Sequence, residues 1–453
     1  MKKDIKYVYF VSLGCSKNFV DTEVMAAYLI KHGFGITDDA RCASIFVINT
    51  CAFIPPARLE SENNIFKATK WKKKASGRKL IVTGCLTQWD KKEEYLKKYP
   101  EVDLWLGIDE LTNLSEKIAY LYNDNQKNRS KVFCKSNPSY LYNNKTPRLQ
   151  LTPAHYAFIK IADGCDNRCS YCSIPSIRGP LRSRSTQSIL FEAENLIIKG
   201  VKELIIIAQD ITAFARDTKG KKDNLTTLVA NLDKIRGDHW IRLHYLHPEG
   251  ITDELISVLK NSEHIIPYLD IPIQHISDNI LKRMNRKVTQ KEVLNILEKL
   301  RQNIPGIIIR TTFLTGFPGE TEKDFNELMN FVKEWKFERL GVFPFYSEPN
   351  TKAATMDQQV PFYIAKQRAN DIYAIHTENS LNFNSKFIEK KVKVIIDSVT
   401  GTRAIGRTYM DSPDIDNTVT ISKSKTLRFG EFVHVKINGF TAFDLKGKLT
   451  DIS

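Results

Sequence analysis

The sequence predicts an α/β protein in three parts: an amino-terminal parallel α/β domain, a partial barrel of six β/α units, and a small five-stranded β-barrel. Three observations lead to this prediction. Strand-like runs alternate with helical patterns over residues 5–121, the alternation resumes over residues 151–383, and short, closely spaced strands fill residues 384–453. Strands that alternate with helices form parallel sheets, whereas short strands at close spacing form barrels or sandwiches. A chain of 453 residues is also too long for one core.

The amino-terminal part contains the apolar runs "YVYFVSL", "SIFVINT" and "KLIVTG", with helical patterns between them. Residues 122–150 are rich in Asn, Lys and Ser and contain two prolines, which predicts a linker.

The central part contains six strand-like runs: "AFIKIAD", "ELIIIAQ", "WIRLHYL", "PYLDIPI", "GIIIRTTF" and "LGVFPFY". Six units are two short of a complete eightfold barrel, so we expect a barrel that is open on one side. The tail contains five short strands with glycine and Asp-Ser-Pro turns, which is typical of a small barrel of the oligonucleotide-binding kind.

Composition excludes some classes of protein and leaves others open. The formal charge of +15 is spread along the chain, so solvated helix faces such as "KWKKK" explain it better than a polyanionic partner does. No stretch approaches the roughly 18 apolar residues of a membrane span, and the first apolar run lacks a signal-peptide cleavage site. We therefore expect a cytosolic protein whose eight cysteines are thiols or metal ligands rather than disulfides.

The segment "IADGCDNRCSYCSIPSIRGPLRSR" contains the strongest local motif, a C-x3-C-x2-C formed by Cys165, Cys169 and Cys172. Zinc sites usually take four ligands in paired arms, and no second pair lies nearby. Three close thiolates suit three irons of a four-iron, four-sulfur cluster, which leaves the fourth iron open to bind a ligand.

Three further cysteines each follow a strand of the amino-terminal domain: Cys15 ends "YVYFVSLGC", Cys51 ends "SIFVINTC" and Cys85 ends "KLIVTGC". The carboxyl ends of parallel strands meet at one edge of a sheet, so these thiols should converge there. Gly14 and Gly84 give the backbone freedom to wrap a bulky group. The pattern predicts a second four-iron cluster. Cys42 and Cys134 have no partners at cluster spacing and are predicted to be ordinary thiols.

The C-x3-C-x2-C loop on a barrel of six units resembles the radical S-adenosylmethionine (SAM) superfamily. The resemblance implies that SAM chelates the open iron and that one electron from the cluster cleaves it to a 5'-deoxyadenosyl radical.

The same resemblance suggests SAM contacts at four positions. "IIAQD" places Gln209 and Asp210, and "RLHYLHP" places Arg242, at strand ends near the ribose and methionine parts of SAM. "RTTFLTGFPGE", with Gly316, resembles the glycine-rich stretch beside the adenine. Polar residues that cap strands and turns remain an equally good explanation.

A radical SAM centre, an amino-terminal three-cysteine domain and a basic barrel tail together resemble the methylthiotransferases, whose tail is called TRAM. The segment "SLGCSKNFVDTE", the pair Gln274-His275 and the segment "RAIGRTYMDSPDIDNTV" resemble the branch that modifies a ribosomal protein, and we expect Gln274-His275 to face the active-site mouth. One departure is "YSEPNTKAATM", where members usually show Glu-Gly-Thr before the final helix.

The resemblance implies methylthiolation of the β-carbon of an aspartate in the small-subunit ribosomal protein twelve, free or on the ribosome. It also implies a low-potential electron donor of the flavodoxin or ferredoxin type. Two alternatives remain: a transferase that modifies a hypermodified adenosine of tRNA, and a non-catalytic iron–sulfur protein with an RNA-binding tail.

Overall fold

The computed structural model of the chain describes residues 5–89, 92–122, 130–218, 223–422 and 427–450. The strands, in chain order, are β1 (Tyr7–Ser12), β2 (Gly35–Thr37), β3 (Ile45–Thr50), β4 (Lys79–Gly84), β5 (Leu104–Leu106), β6 (Val132–Phe133), β7 (Tyr156–Lys160), β8 (Ala162–Asp163), β9 (Arg182–Ser183), β10 (Glu203–Ile207), β11 (Trp240–Leu243), β12 (Ile265–Asp270), β13 (Ile308–Thr315), β14 (Arg339–Pro344), β15 (Lys391–Thr400), β16 (Arg403–Arg407), β17 (Val419–Ser422), β18 (Phe432–Phe440) and β19 (Leu445–Leu449).

The helices, in chain order, are α1 (Ser16–Lys31), α2 (Pro55–Lys73), α3 (Cys85–Gln88), α4 (Lys92–Lys98), α5 (Leu114–Leu121), α6 (Ile174–Arg178), α7 (Thr186–Ile198), α8 (Leu225–Leu232), α9 (Asp253–Lys260), α10 (Asp278–Arg283), α11 (Gln290–Asn303), α12 (Glu322–Trp335) and α13 (Phe362–Ser385). The chain divides into two compact units. The first contains residues 1–151, 162–167 and 172–189, and the second contains residues 152–161, 168–171 and 190–453.

The first unit is built on a six-stranded parallel sheet with the order β2-β1-β3-β4-β5-β6. All six residues of the inner strand β3 are buried, as expected for a parallel strand covered on both faces. Strand β6 lies in the segment that was predicted to be a linker, because Val132–Phe133 pairs with β5 and extends the sheet. Residues 123–129 of that segment lie outside the described residues.

The second unit contains a parallel sheet of six strands with the order β14-β13-β12-β11-β10-β7. The order of the strands in space follows their order in the sequence, and β7 and β14 do not pair with each other. This open arrangement confirms the predicted partial barrel. The tail forms a closed barrel with the order β15-β16-β17-β19-β18, which confirms the predicted five strands.

The tail barrel and the six-stranded sheet share one hydrophobic core. Trp240, Tyr268 and Ile308 of the sheet lie in the same buried cluster as Val394 and Ile421 of the tail. The tail is therefore a part of the second unit and does not have a separate core.

Buried charges reinforce this contact. Glu203, the first residue of β10, accepts a hydrogen bond from Arg242 Nε at 2.7 Å and pairs with Arg407 Nη1 of the tail at 2.8 Å. Burial by itself would raise the pKa of Glu203, but the guanidinium groups of Arg407 and Arg242 lower it below its ordinary value. The carboxylate is thus held ionised between two arginines.

The connection between β16 and β17 makes further contacts at the sheet. Arg339 Nε donates to Asp411 at 2.9 Å, Tyr268 Oη donates to Asp416 at 2.6 Å, and Tyr156 Oη donates to Asp414 at 3.0 Å. Tyr156 and Arg339 are the first residues of β7 and β14. The tail therefore covers the amino-terminal ends of these strands and leaves the carboxyl ends, where ligands bind in such folds, to the active site.

We predict that Glu203→Gln lowers the free energy of unfolding of the second unit by about 3–5 kcal/mol, because it leaves two buried guanidinium groups without their shared carboxylate. The change can be measured by chemical denaturation. The matched control is Asp238→Asn, which removes an exposed pair between the loop before β11 and Lys393 of the tail and should alter stability by less than about 1 kcal/mol. Equal effects of the two substitutions would contradict the prediction.

Candidate metal centres

The first unit brings its three strand-end cysteines to one edge of the sheet. Strands β1, β3 and β4 are neighbours, so they end side by side. Their paired residues at this level are Ser12, Asn49 and Thr83. Cys15 lies three residues after Ser12. Cys51 lies two residues after Asn49, and Cys85 lies two residues after Thr83. The structure thus provides the convergence that the sequence predicts.

Two glycines permit this close approach. Gly14 has a φ of +85°, and a Cβ added to it would lie 2.8 Å from Cys51 Sγ. Gly84 has a φ of +94°, and a Cβ there would lie 2.7 Å from Thr50 O. Both positions need a left-handed backbone and space beside the neighbouring strand end, which only glycine combines.

The surroundings of these thiols favour the protonated form of two of them. Burial, together with the thiols of Cys85 and Cys15, raises the pKa of Cys51 to about 12. Burial also raises the pKa of Cys85, although Arg178 opposes the effect. A metal cluster held by these cysteines would have to displace the thiol protons, as metal ions do when they bind cysteine. Cys15 is the N-cap residue of α1.

The donor atoms at this edge are the sulfur atoms of three cysteines. Among the described residues, no group of three or more His, Cys, Asp or Glu side chains is placed to hold one metal ion. A four-iron cluster held by these residues would take each thiolate at a separate iron. Three soft sulfur donors suit iron–sulfur chemistry.

Asn18 holds the first two cysteine-bearing segments together. Its Nδ2 donates to Leu13 O at 2.7 Å and to Thr50 O at 3.3 Å. These carbonyl groups belong to the segments that precede Cys15 and Cys51. A side chain three residues beyond the first cysteine therefore sets the spacing of two predicted ligands.

The C-x3-C-x2-C segment follows β8, and its three thiols are half-buried. In the first unit, Cys165 N donates to Gly179 O at 3.2 Å and Ile174 N donates to Cys172 Sγ at 3.4 Å. In the second unit, Arg286 Nη1 lies 3.9 Å from Cys169 Sγ. Backbone groups thus contact Cys165 and the Cys172 thiol, an arginine side chain contacts the Cys169 thiol, and all three cysteines remain partly accessible.

The predicted SAM contacts on β10 have two different surroundings. Gln209 is half-buried, two residues beyond the end of the strand. Asp210 Oδ1 accepts from Thr212 N at 2.9 Å and from Thr212 Oγ1 at 2.6 Å, and so caps the short 3-10 turn Ile211–Ala213. Asp210 therefore has the capping role that the sequence left open, and a SAM contact at either residue stays a prediction.

The interpretation of Arg242 as a SAM contact is corrected by its surroundings. The side chain is 0 % exposed and lies within β11 rather than at its end. Besides its contact with Glu203, its Nη1 donates to Tyr409 O at 2.9 Å, and its guanidinium lies over the ring of Tyr268. Arg242 therefore lies in the buried interface between the six-stranded sheet and the tail barrel.

The packing of α13 requires a glycine at position 316. With a φ of +71°, a Cβ at this position would lie 2.1 Å from Ala365 Cβ on α13. Its N–H donates to Glu320 Oε2 at 2.8 Å, and Glu320 in turn pairs with Arg368 of the same helix at 2.8 Å. Burial raises the pKa of Glu320 to about 7, against the opposing charge of Arg368. The place of Gly316 beside the adenine stays a prediction.

The expectation that Gln274-His275 faces the active-site mouth is wrong for His275. Its side chain is 0 % exposed, and burial lowers its pKa to about 3. Its Nδ1 accepts from Ser277 N at 3.0 Å, so the neutral ring carries its proton on Nε2. Gln274 is half-buried and has a φ of +73°.

Comparison with known families divides the chain into three matched segments. Residues 7–107 match the uncharacterized protein family UPF0004, residues 159–332 match the radical SAM superfamily, and residues 388–450 match the TRAM domain. The superfamily match confirms the predicted SAM and [4Fe-4S] cofactors.

Full-length relatives decide the family. A protein from Acetivibrio thermocellus named ribosomal protein uS12 methylthiotransferase RimO is 43% identical over 99% of both chains. Proteins of the same name from Desulforamulus reducens and Carboxydothermus hydrogenoformans are each 42% identical, over 97% and 98% of this chain and 98% and 99% of their own length. The chain belongs to the uS12 methylthiotransferase family. Membership confirms the resemblance found in the sequence.

Solved structures support the fold alone. The radical SAM methyltransferase TsrM from Kitasatospora setae has a TM-score of 0.53 at 14% identity and covers 77% of each chain. The cobalamin-dependent radical enzyme OxsB has a TM-score of 0.51 at 12% identity, over 82% of this chain and 56% of its own. Within the described parts of the chain, no helix has the length and apolar content needed to cross a bilayer.

Sequence reasoning missed several residues that the structure places at the cysteines. Arg178 contacts Cys85 and Arg286 contacts Cys169, yet each lies far along the chain from its partner, at separations of 93 and 117 residues. Asn18 lies only three residues beyond Cys15, but the sequence pattern does not assign it a role. Of these three residues, only Asn18 lies close in sequence to a cysteine and has a hydrogen-bond partner, Leu13 O, in the same segment.

In reduced, iron-free protein, we predict that iodoacetamide alkylates Cys42 first and Cys51 and Cys85 last. Cys42 is exposed, whereas the other two are only 9% and 7% exposed. Time-resolved mass spectrometry of the digested protein measures the three rates. Alkylation of Cys85 as fast as that of Cys42 would contradict the burial of the strand ends.

Proposed function

We propose that this protein transfers a methylthio group to the β-carbon of an aspartate in ribosomal protein uS12. The observation that carries the proposal is the 43% identity, over 99% of both chains, to a protein named for that activity. The reaction replaces a C–H bond at an unactivated carbon with a C–S bond. Polar catalysis cannot easily remove that hydrogen, which explains a radical cofactor.

We propose that each triad of cysteines binds one [4Fe-4S] cluster. The auxiliary cluster takes Cys15, Cys51 and Cys85, and the radical SAM cluster takes Cys165, Cys169 and Cys172. The convergence and burial of the first triad and the close spacing of the second support these assignments. When bound, SAM supplies both the methyl group and the one-electron chemistry that removes the substrate hydrogen.

The residues of the chain then bind and orient the reactants. The burial of Cys51 and Cys85 limits the access of water to two of the three proposed sulfur ligands of the auxiliary cluster. The hydrogen bonds from Gly316 N and Arg368 to Glu320 fix the loop after β13, where the sequence predicts the adenine. Such fixed placement is the main protein contribution when the cofactor supplies the reactive group.

The proposal includes an electron donor of the flavodoxin or ferredoxin type, because reduction of SAM requires a low-potential electron. It also places the protein in the cytoplasm, where uS12 is made and assembled into ribosomes. Modification of a hypermodified adenosine in tRNA is the alternative, and the names of the full-length relatives favour the protein substrate.

We predict that Cys85→Ala lowers the iron content of the anaerobically reconstituted protein from about eight to about four atoms per chain, since one of two four-iron clusters loses a ligand. Reductive formation of 5'-deoxyadenosine from SAM should persist, whereas Cys169→Ala should abolish it. Iron analysis and chromatography measure the two properties. The control Cys42→Ala should change neither, and an unchanged iron content in Cys85→Ala would contradict the assignment.

The substrate is tested by offering purified uS12 and a tRNA with a hypermodified adenosine side by side to the reconstituted enzyme. We expect mass spectrometry to find a gain of one methylthio group on an aspartate of uS12 and none on the tRNA. Methylthiolation of the tRNA but not of uS12 would overturn the proposed function and favour the alternative.

A further inference from the structure

Arg178, the last residue of α6, has a fully enclosed guanidinium group within the first unit. The residue is 2% exposed. Its Nη1 donates to Asp21 at 2.7 Å and to Asp163 at 3.2 Å. Its Nη2 donates to Asn18 Oδ1 at 3.0 Å and to Cys85 Sγ at 3.5 Å. One cation therefore contacts a predicted cluster ligand directly.

The partners of Arg178 come from segments that carry ligands of both predicted clusters. Asn18 and Asp21 lie on α1, which begins immediately after Cys15. Arg178 itself lies six residues beyond Cys172, and its partner Asp163 lies two residues before Cys165. The guanidinium thus ties the radical SAM loop to the edge that holds the auxiliary triad.

Stability alone is a poor explanation for this arrangement. Buried ion pairs lose much hydration energy, and well-packed apolar residues of similar volume often serve a fold equally well. A cation that donates to a ligand sulfur has a more specific effect. Hydrogen bonds to the sulfurs and nearby charge are among the factors that set the reduction potential of an iron–sulfur cluster.

We propose that Arg178 is a positioning residue that orients Cys85 and raises the reduction potential of the auxiliary cluster. The proposal rests on the assignment of that cluster to the first triad. Reduction adds a negative charge to the cluster, and a hydrogen bond from a guanidinium to its thiolate ligand stabilises the more negative state. Loss of Arg178 must therefore make the cluster harder to reduce, and it also leaves Asp21 and Asp163 without their shared partner.

The test is a redox titration of the reconstituted full-length enzyme, followed by electron paramagnetic resonance. Parallel titrations of Cys169→Ala and Cys85→Ala, each of which should lack one of the two clusters, assign the two signals. We expect Arg178→Gln to shift the reduction equilibrium of the auxiliary cluster about tenfold, or about 59 mV lower for one electron, and to leave the other cluster unchanged. Arg178→Lys keeps the positive charge and should shift the reduction potential of the auxiliary cluster less.

The matched control is Arg182→Gln, four residues further along the same segment. Its guanidinium donates to the carbonyl oxygens of Arg178 and Pro180. Iron content and both potentials should match those of the unaltered enzyme.

Two outcomes would overturn the proposal. One is an auxiliary cluster with an unchanged potential in Arg178→Gln. The other is an equal loss of iron in Arg178→Gln and Arg178→Lys, with full iron in Arg182→Gln, because that result indicates a packing role that does not depend on charge. If Arg178→Gln alone loses iron and Arg178→Lys retains it, the cationic role is supported. Fewer than about eight irons in the unaltered enzyme would instead count against the two-cluster assignment.

Discussion

The organisation of this protein depends on the parallel pairing of its strands. In a parallel sheet all carboxyl ends lie at the same edge, so residues that follow neighbouring strands meet although they are far apart in sequence. In the first unit, this constraint brings Cys15, Cys51 and Cys85 together beyond β1, β3 and β4. Without it, three cysteines separated by more than thirty residues each would have no common site. In the second unit, the same rule gives the two ends of the sheet different roles, since the tail covers starting residues such as Tyr156 and Arg339.

Buried arginines make the specific connections that hydrophobic contact cannot. The shared core of sheet and tail is apolar, and apolar contact is not directional. Arg242 and Arg407 fix the placement of the tail on the sheet, because a shift of the tail would separate Arg407 from Glu203 and Arg242 from Tyr409 O. In the first unit, Arg178 is the enclosed cation, and its partners are two carboxylates and the thiol of Cys85. In both units an enclosed cation sets the relative placement of segments that are distant in sequence.

The loop after β13 shows how one local motif serves packing and binding together. Gly316 must be glycine because α13 approaches its Cα too closely for any side chain. The same helix supplies Arg368, which holds Glu320, and Glu320 holds the N–H groups of Gly316 and Phe317. The final helix of the partial barrel therefore fixes a loop that faces ligand in the proposed function. Its conformation depends on contacts that span about fifty residues of sequence.

The sequence by itself predicted the six strands of the central sheet, the five strands of the tail barrel and the six proposed cluster ligands, but it missed β2, β5 and β6 of the first unit. Strand periodicity and cysteine spacing are local properties of the sequence. They can be recognised without knowledge of how the strands pack. The roles of Arg242, His275 and Arg178 were decided only by the tertiary structure. Arg242 and Arg178 have partners 167 and 157 residues away, and nothing near them in sequence distinguishes a buried ion pair from a surface charge or a ligand contact. His275 is completely buried, and this burial lowers its pKa. Burial depends on how the whole chain packs, so the residues next to His275 in the sequence do not reveal it.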